Sequence, residues 1–183
     1  ESFMTKVIKK FPKLEVITLI DVDGLNLHKG HHHAEHYDEQ YLDQDSHIWL
    51  SPDNALILAN EISQKLSQRW PEKQVLFAKN LKSFSKKMKK SISSTRQSLA
   101  SIENTGFISY HNAWEYWVDY FQLNQLDTVT STPEHKPGAK QLYKIRQYFK
   151  QGQANCLLLE PGINQRQVLS ISKGLEINIG TAD

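Results

Sequence analysis

Two histidines, His47 and His111, stand where a protein frame can hold an imidazole still. His47 lies in Asp45-Ser-His-Ile-Trp-Leu-Ser-Pro52, which runs directly into a helix start. Ser51 can accept from the free amides of the first turn, and Pro52 fits the first helical position, where no donor is needed. His111 follows the strand-like run Phe107-Ile-Ser-Tyr110. Glu160 follows Cys156-Leu-Leu-Leu159, and Asp183 follows the strand-like Ile177-Asn-Ile179. In an open α/β sheet the ligand crevice lies beyond the carboxyl ends of the strands, so these groups fall at equivalent ends of one sheet. Two neutral imidazoles with a carboxylate suit Zn²⁺ and also serve Mn²⁺ or Fe²⁺. Each residue has a plainer reading. His47 and His111 can each be a structural histidine, and Asp183 an exposed terminal residue. Glu160, ahead of Pro161, reads first as a turn cap. His135, in Thr132-Pro-Glu-His-Lys-Pro137, reads as surface or pocket rim.

Six of the eight histidines fall between His28 and His47. His28, His31, His32, His33 and His36 alternate with Glu35, Asp38 and Glu39 in a segment without apolar periodicity. Such crowding does not fit a buried structural set. It predicts weak, exchangeable Zn²⁺ binding, because ordering a polar loop around an ion costs conformational entropy.

The elements around these residues follow from pattern. The chain has 183 residues, with 39% hydrophobic and 23% charged, enough for one large domain or parts of two. The formal net charge of +2 is too small to argue for nucleic acid. No apolar run approaches the length of a membrane span, and no signal-peptide pattern is present. Glu1 opens inside a helical pattern (Phe3, Val7, Ile8, Phe11) and Asp183 closes just after a strand, so both ends read as cut. The single cysteine, Cys156, cannot form an internal disulfide and reads as a small buried residue at a strand start.

Val16-Ile-Thr-Leu-Ile20 predicts a short buried strand. Residues 21–44 predict a long polar loop, functional or disordered without ligand. Ala55, Ala59, Ile62, Leu66 and Trp70 predict an amphipathic helix ended by Trp70-Pro71. Phe77, Leu81, Phe84, Met88, Ile92, Leu99 and Ile102 carry a second stripe, with Thr95 on its face. About 28 residues at about 1.5 Å each predict a rod of about 40 Å, long enough to bridge two bodies, whose lysines form a solvated face. Past Gly106 strands and helices alternate: Phe107–Tyr110, Ala113–Phe121 (with Asn112 as its cap), Thr128–Ser131, a helix opened by Pro137-Gly-Ala139, Cys156–Leu159, Gln165–Ser172 and Ile177–Ile179. That order implies a mostly parallel sheet covered on both faces.

The segments Glu1-Ser-Phe-Met, the His/acid loop, His47-Ile-Trp-Leu-Ser-Pro, Tyr110-His-Asn-Ala-Trp, Pro137-Gly-Ala, Cys156 to Glu160-Pro161 and Gly180-Thr-Ala-Asp183 together resemble the substrate-binding proteins of zinc ABC transporters, the ZnuA-type members of the metal-binding cluster. The resemblance implies two Rossmann-like α/β lobes joined by one long linking helix, with metal in the cleft between. Residues 1–73 would be the remainder of the first lobe, only partly present, with a His-rich loop at 24–44. Residues 74–103 would be the linking helix, and 104–183 the second lobe. His47 and His111 would be two imidazole ligands and Asp183 the acidic residue of the second lobe. Cys156 would match one half of a disulfide of Gram-negative members, its partner lying beyond Asp183. The family's first ligand histidine would precede Glu1.

The resemblance further implies high-affinity Zn²⁺ capture in the periplasm of a Gram-negative envelope and delivery to a membrane ABC permease, by a monomer without catalysis and without nucleic acid. Two alternatives stand beside it. One is a manganese-binding or adhesion-type relative, which the His-rich loop disfavours, since Mn²⁺ sites lean towards oxygen ligands. The other is a zinc-dependent hydrolase with Glu160 as general base. The chain holds no HExxH, no nucleophile elbow and no Gly-rich phosphate loop.

Overall fold

The computed structural model describes residues 2–29, 44–131 and 136–182. His31, His32, His33, His36, His135 and Asp183 lie outside the described residues.

The second half is built on a parallel sheet. Strands β1 (Phe107–His111), β2 (Gln125–Thr130), β3 (Cys156–Leu159) and β4 (Asn178–Thr181) lie in the order β2-β1-β3-β4, every pair parallel. Helices α4 (Glu115–Phe121), α5 (Ala139–Lys150) and α6 (Gln165–Ser172) connect them. Consecutive residues of the central strand β1 are buried, so both of its faces are covered, whereas the edge strand β4 is largely exposed. Ile108, Tyr110, Val129, Ile145, Leu157 and Ile171 form the buried centre. Gly106 lies where chains crowd. A Cβ there would stand 2.0 Å from the carbonyl oxygen of Gln153, whose neighbour Asn155 donates its N–H to the Gly106 carbonyl at 2.9 Å.

The first half is helices and extended chain: α1 (Ser2–Lys10), α2 (Pro52–Arg69) and α3 (Gln74–Leu99). Ser51 caps α2 as expected, its Oγ accepting from the Asn54 N–H at 3.3 Å. α3 has 26 residues, roughly 39 Å at about 1.5 Å per residue. None of its residues is buried. Phe77, Leu81, Met88, Ile92, Thr95 and Leu99 are its half-covered stripe. The helix carries six lysines and Arg96 and no acidic residue.

Four expectations change. Val16–Ile20 is not a strand: residues 14–18 are extended coil, Leu19–Asp21 a 3₁₀ turn, and Val16 and Ile17 are exposed. A strand needs a neighbour to complete its ladder, and no described segment pairs with this one. The loop expected over 21–44 is packed in its described first part. Val22, Leu25 and Leu27 pack against a second core of Ile48, Leu58 and Tyr116. The buried positions of α2 are Pro52, Asn54 and Leu58 rather than the Ala55–Trp70 stripe. Asn54, fully buried, accepts from the Asn26 N–H and donates to the Asn26 carbonyl, both at 2.9 Å, so an amide side chain does for Asn26 what a neighbouring strand would. Finally, α4 begins at Glu115 with Trp114 as its cap residue, and Asn112 donates to Glu115 Oε1 at 3.4 Å instead of capping the helix.

Candidate metal centre

His47 and His111 come from the two halves of the chain and meet. Their ring centroids are 5.6 Å apart, with planes inclined at 58°. Two imidazoles sharing one tetrahedral ion, each nitrogen about 2.0–2.1 Å from it, have centroids roughly 5 Å apart. The spacing therefore fits a common ion. His47 stands at the start of the 3₁₀ turn Ile48–Leu50, which leads into the Ser51 cap. His111 is the last residue of β1, at the carboxyl edge of a central strand.

Each ring is held from behind by a carboxylate. His47 Nδ1 lies 2.6 Å from Asp45 Oδ1, and the same oxygen accepts from the His47 backbone N–H at 2.9 Å. His111 Nδ1 lies 2.6 Å from Glu160 Oε2, while Glu160 Oε1 accepts from the Trp114 indole N–H at 3.3 Å. A carboxylate accepts only, so each Nδ1 is the protonated nitrogen and each Nε2 carries the lone pair. Carboxylate–histidine pairs of this kind fix the tautomer and raise ligand basicity in metal sites. Two such carboxylates also place a formal charge of −2 behind the rings, opposite in sign to a divalent cation. Asp45 is buried and its Oδ2 has no hydrogen-bond partner among the described residues, while Oδ1 is engaged by His47.

Two buried tyrosines sense the charge of the site's carboxylate-bearing residues. Tyr110, directly before His111, is fully buried. Burial, and then the charge of Glu160, pushes its hydroxyl above the ordinary tyrosine range. Tyr116 is likewise raised, chiefly by burial. The His28 backbone N–H opposes that rise, while Asp45 and Glu115 add to it. Both hydroxyls stay protonated at neutral pH and compete with neither imidazole for a cation. Trp49 leans on His47 with centroids 5.6 Å apart and is largely exposed, a rim rather than a ligand.

Of the expected metal groups, His47 and His111 come together and Asp183 lies outside the described residues. Among the described residues no group of three His, Cys, Asp or Glu stands close enough to share an ion. His28, placed in the loose cluster by sequence, sits in a defined place. Its ring stacks on Tyr116 with centroids 4.2 Å apart, and its Nε2 lies 3.6 Å from Asp119 Oδ2. Glu160 is more than a turn cap, since both its oxygens are engaged at the site. Asp45 was overlooked by sequence reasoning. Its signal was the spacing Asp-x-His, which lets a carboxylate fold forward onto a backbone N–H two residues on. Cys156 is a free, half-buried thiol in β3.

Residues 1–182 match the family described as zinc-uptake complex component A, periplasmic. The chain belongs to the ZnuA family. The High-affinity zinc uptake system protein ZnuA of Haemophilus ducreyi is 30% identical over 201 residues, which cover 100% of this chain and 65% of the relative. Its counterpart in Haemophilus influenzae is 31% identical over 137 residues, covering 75% of this chain and 41% of the relative. The chain thus spans less than two thirds of the length of these relatives. A crystal structure of ZnuA superposes with a TM-score of 0.81 at 18% identity, over 100% of this chain and 66% of that one. AdcAII of Streptococcus pneumoniae does so with a TM-score of 0.79 at 23% identity, over 100% and 66%. At these identities the likeness is one of fold, the two-lobe α/β architecture of the ZnuA family.

Proposed function

We propose that this chain binds Zn²⁺ between His47 and His111, with Asp183 as a further ligand, and serves in high-affinity zinc uptake by handing the ion to a membrane ABC permease. The observation that carries the reading is the meeting of two imidazoles from opposite halves, each with Nδ1 committed to a carboxylate and Nε2 left as the donor. The curated relatives named for zinc uptake and the family's periplasmic description support zinc as cargo and the periplasm of a Gram-negative envelope as the place of work. Nitrogen donors favour Zn²⁺ over Mn²⁺. The role of Glu160 supports a binding protein rather than an enzyme. A hydrolase would need that carboxylate as a free base, and here both its oxygens hold neighbours. His28, His31, His32, His33 and His36 would bind zinc weakly, and the protein would act as a monomer.

The test is Zn²⁺ titration against a competing chelator, with His47→Ala and His111→Ala beside the parent chain. Each substitution should weaken the tight site by more than the roughly 10–100-fold typical of losing an orienting partner. Tight binding that survives both would overturn the assignment. Turnover of a generic ester that stops on chelation would favour the hydrolase.

A further inference from the structure

Tyr116 belongs to α4, in the half of the chain that carries His111, yet its side chain is enclosed by the other half. It is 2% exposed and packs in the core of Ile48 and Leu58. Its hydroxyl donates to the Asp45 carbonyl at 2.9 Å and accepts from the His28 N–H at 3.0 Å. Those two backbone groups sit on the two segments that close the neck of residues 30–43. The Asp45 N–H donates to the His28 carbonyl at 3.0 Å, and Lys29 pairs with Gln44 in an antiparallel bridge. One phenol therefore ties both sides of the neck to α4, and the His28 ring lies flat on it. Asp45 is the residue whose carboxylate holds His47 by both the ring Nδ1 and the backbone N–H.

We infer that Tyr116 is a positioning residue for the metal centre: its hydroxyl fixes the neck where the Asp45 carboxylate meets His47 Nδ1, and so sets how His47 presents Nε2 to an ion shared with His111. The inference rests on the zinc reading above. Its physical basis is leverage. The Asp45 carbonyl is held by Tyr116 and its N–H by His28, which leaves only the two side-chain torsions to reach a contact of 2.6 Å. Release of the carbonyl frees the backbone of Asp45, and a shift of about 1 Å there breaks that contact, since hydrogen bonds weaken steeply beyond about 3.2 Å. The coupling is reciprocal by linkage. If the neck orients His47 for zinc, zinc on His47 must steady the neck. The same hydroxyl joins the two halves, so the half that carries His111 also fixes the stance of His47.

Tyr116→Phe keeps the ring and its packing and removes only the oxygen. Zn²⁺ is titrated against a chelator into the full chain and into Tyr116→Phe, Asp45→Asn and the double variant. Tyr116→Phe should weaken zinc by about 3–10-fold, less than the roughly 10–100-fold expected of the direct partner. The double variant should bind no more weakly than Asp45→Asn alone, because the phenol acts through that carboxylate and the effects do not add. A Phe variant that melts earlier but keeps its zinc affinity within about twofold would make Tyr116 a packing residue only, as would full additivity with Asp45→Asn, since uncoupled sites add. Should the Phe variant not fold, hydrogen exchange of the parent chain decides. Zinc that slows exchange at the His28 amide supports the inference, and zinc that leaves it unchanged overturns it. If the parent chain binds no zinc, the zinc reading fails and the inference falls with it. If His47→Ala loses zinc while Tyr116→Phe does not, only the inference fails.

Discussion

Glu160 Oε2 stands 2.6 Å from Nδ1 of His111 across 49 positions of sequence, and the partner oxygen takes the Trp114 indole N–H. The carboxylate is thus locked on one side by an aromatic donor and spends its other oxygen on the ring. Glu160→Gln keeps the shape but removes the charge and turns half the group into a donor, which can face Nδ1 with an N–H. Zinc affinity should fall roughly 10–100-fold, the usual effect of losing an orienting carboxylate. Unfolding by urea should lose on the order of 1–3 kcal/mol, since the His111 and Glu160 side chains are only 12% and 16% exposed. Affinity equal to that of the parent chain would show that Glu160 does not orient His111.

The alternation of strands and helices past Gly106 was legible because the central strands β1 and β3 are short apolar runs between turn residues. The strand ends were less legible: β4 runs Asn178–Thr181 rather than Ile177–Ile179, and β2 begins at Gln125 rather than Thr128. Gln125 and Asp127 are polar there because the Asp127 side chain takes the Gln141 amide and the Lys144 ammonium. The first half was harder to read. Val16–Ile20 has strand composition without a described partner, and a ladder is a property of two segments. Asn54 holds the Asn26 backbone through an amide, which no periodicity announces. His47 and His111 could be found by their places beside a capped helix and at a strand end. That they meet could not, because the two halves join through long-range packing such as Tyr116 in the core of Ile48 and Leu58, which no local pattern announces.

Asn54→Ala should destabilise the first half. The substitution removes both hydrogen bonds that hold the Asn26 backbone, each worth about 0.5–1.5 kcal/mol net, because Asn26 is exposed and water can take up its freed groups. Urea unfolding should register about 1–3 kcal/mol in total. Hydrogen exchange at the Asn26 amide should speed up before that of the sheet. A change below about 0.5 kcal/mol would mean that water replaces the amide without cost.

Gly106→Ala should damage the sheet although glycine usually weakens strands. The added Cβ would meet the Gln153 carbonyl oxygen at 2.0 Å and Leu126 Cδ1 at 2.8 Å. The leucine can rotate, but the carbonyl belongs to the turn that feeds β3. Relief therefore requires β1 to part from the 153–155 segment, with loss of the bond between Asn155 and Gly106. We expect a loss of at least about 1–3 kcal/mol in urea unfolding, the usual cost of overpacking. A neutral effect would show that the 151–155 turn yields without strain.

Cys156 provides a pH test that leaves metal aside. Burial is the main cause that raises its thiol above the ordinary cysteine range, opposed in part by a backbone hydrogen bond at Gly180. The folded chain therefore keeps this proton to higher pH than the unfolded chain does. For a group raised in the folded state, the linked stability is complete below the unfolded thiol range and is lost as pH climbs through the raised folded value. Stability attributable to Cys156 should thus be flat through neutral pH and fall only in alkali, and Cys156→Ser should flatten that fall. Alkylation requires the thiolate, so a maleimide or iodoacetamide reagent at neutral pH should label the folded chain far more slowly than the urea-unfolded chain. The gap should narrow as pH rises. Equal labelling of the folded and unfolded chains at neutral pH would show that the amino end of β3 opens faster than the reagent reacts, and that the thiol is not held by burial.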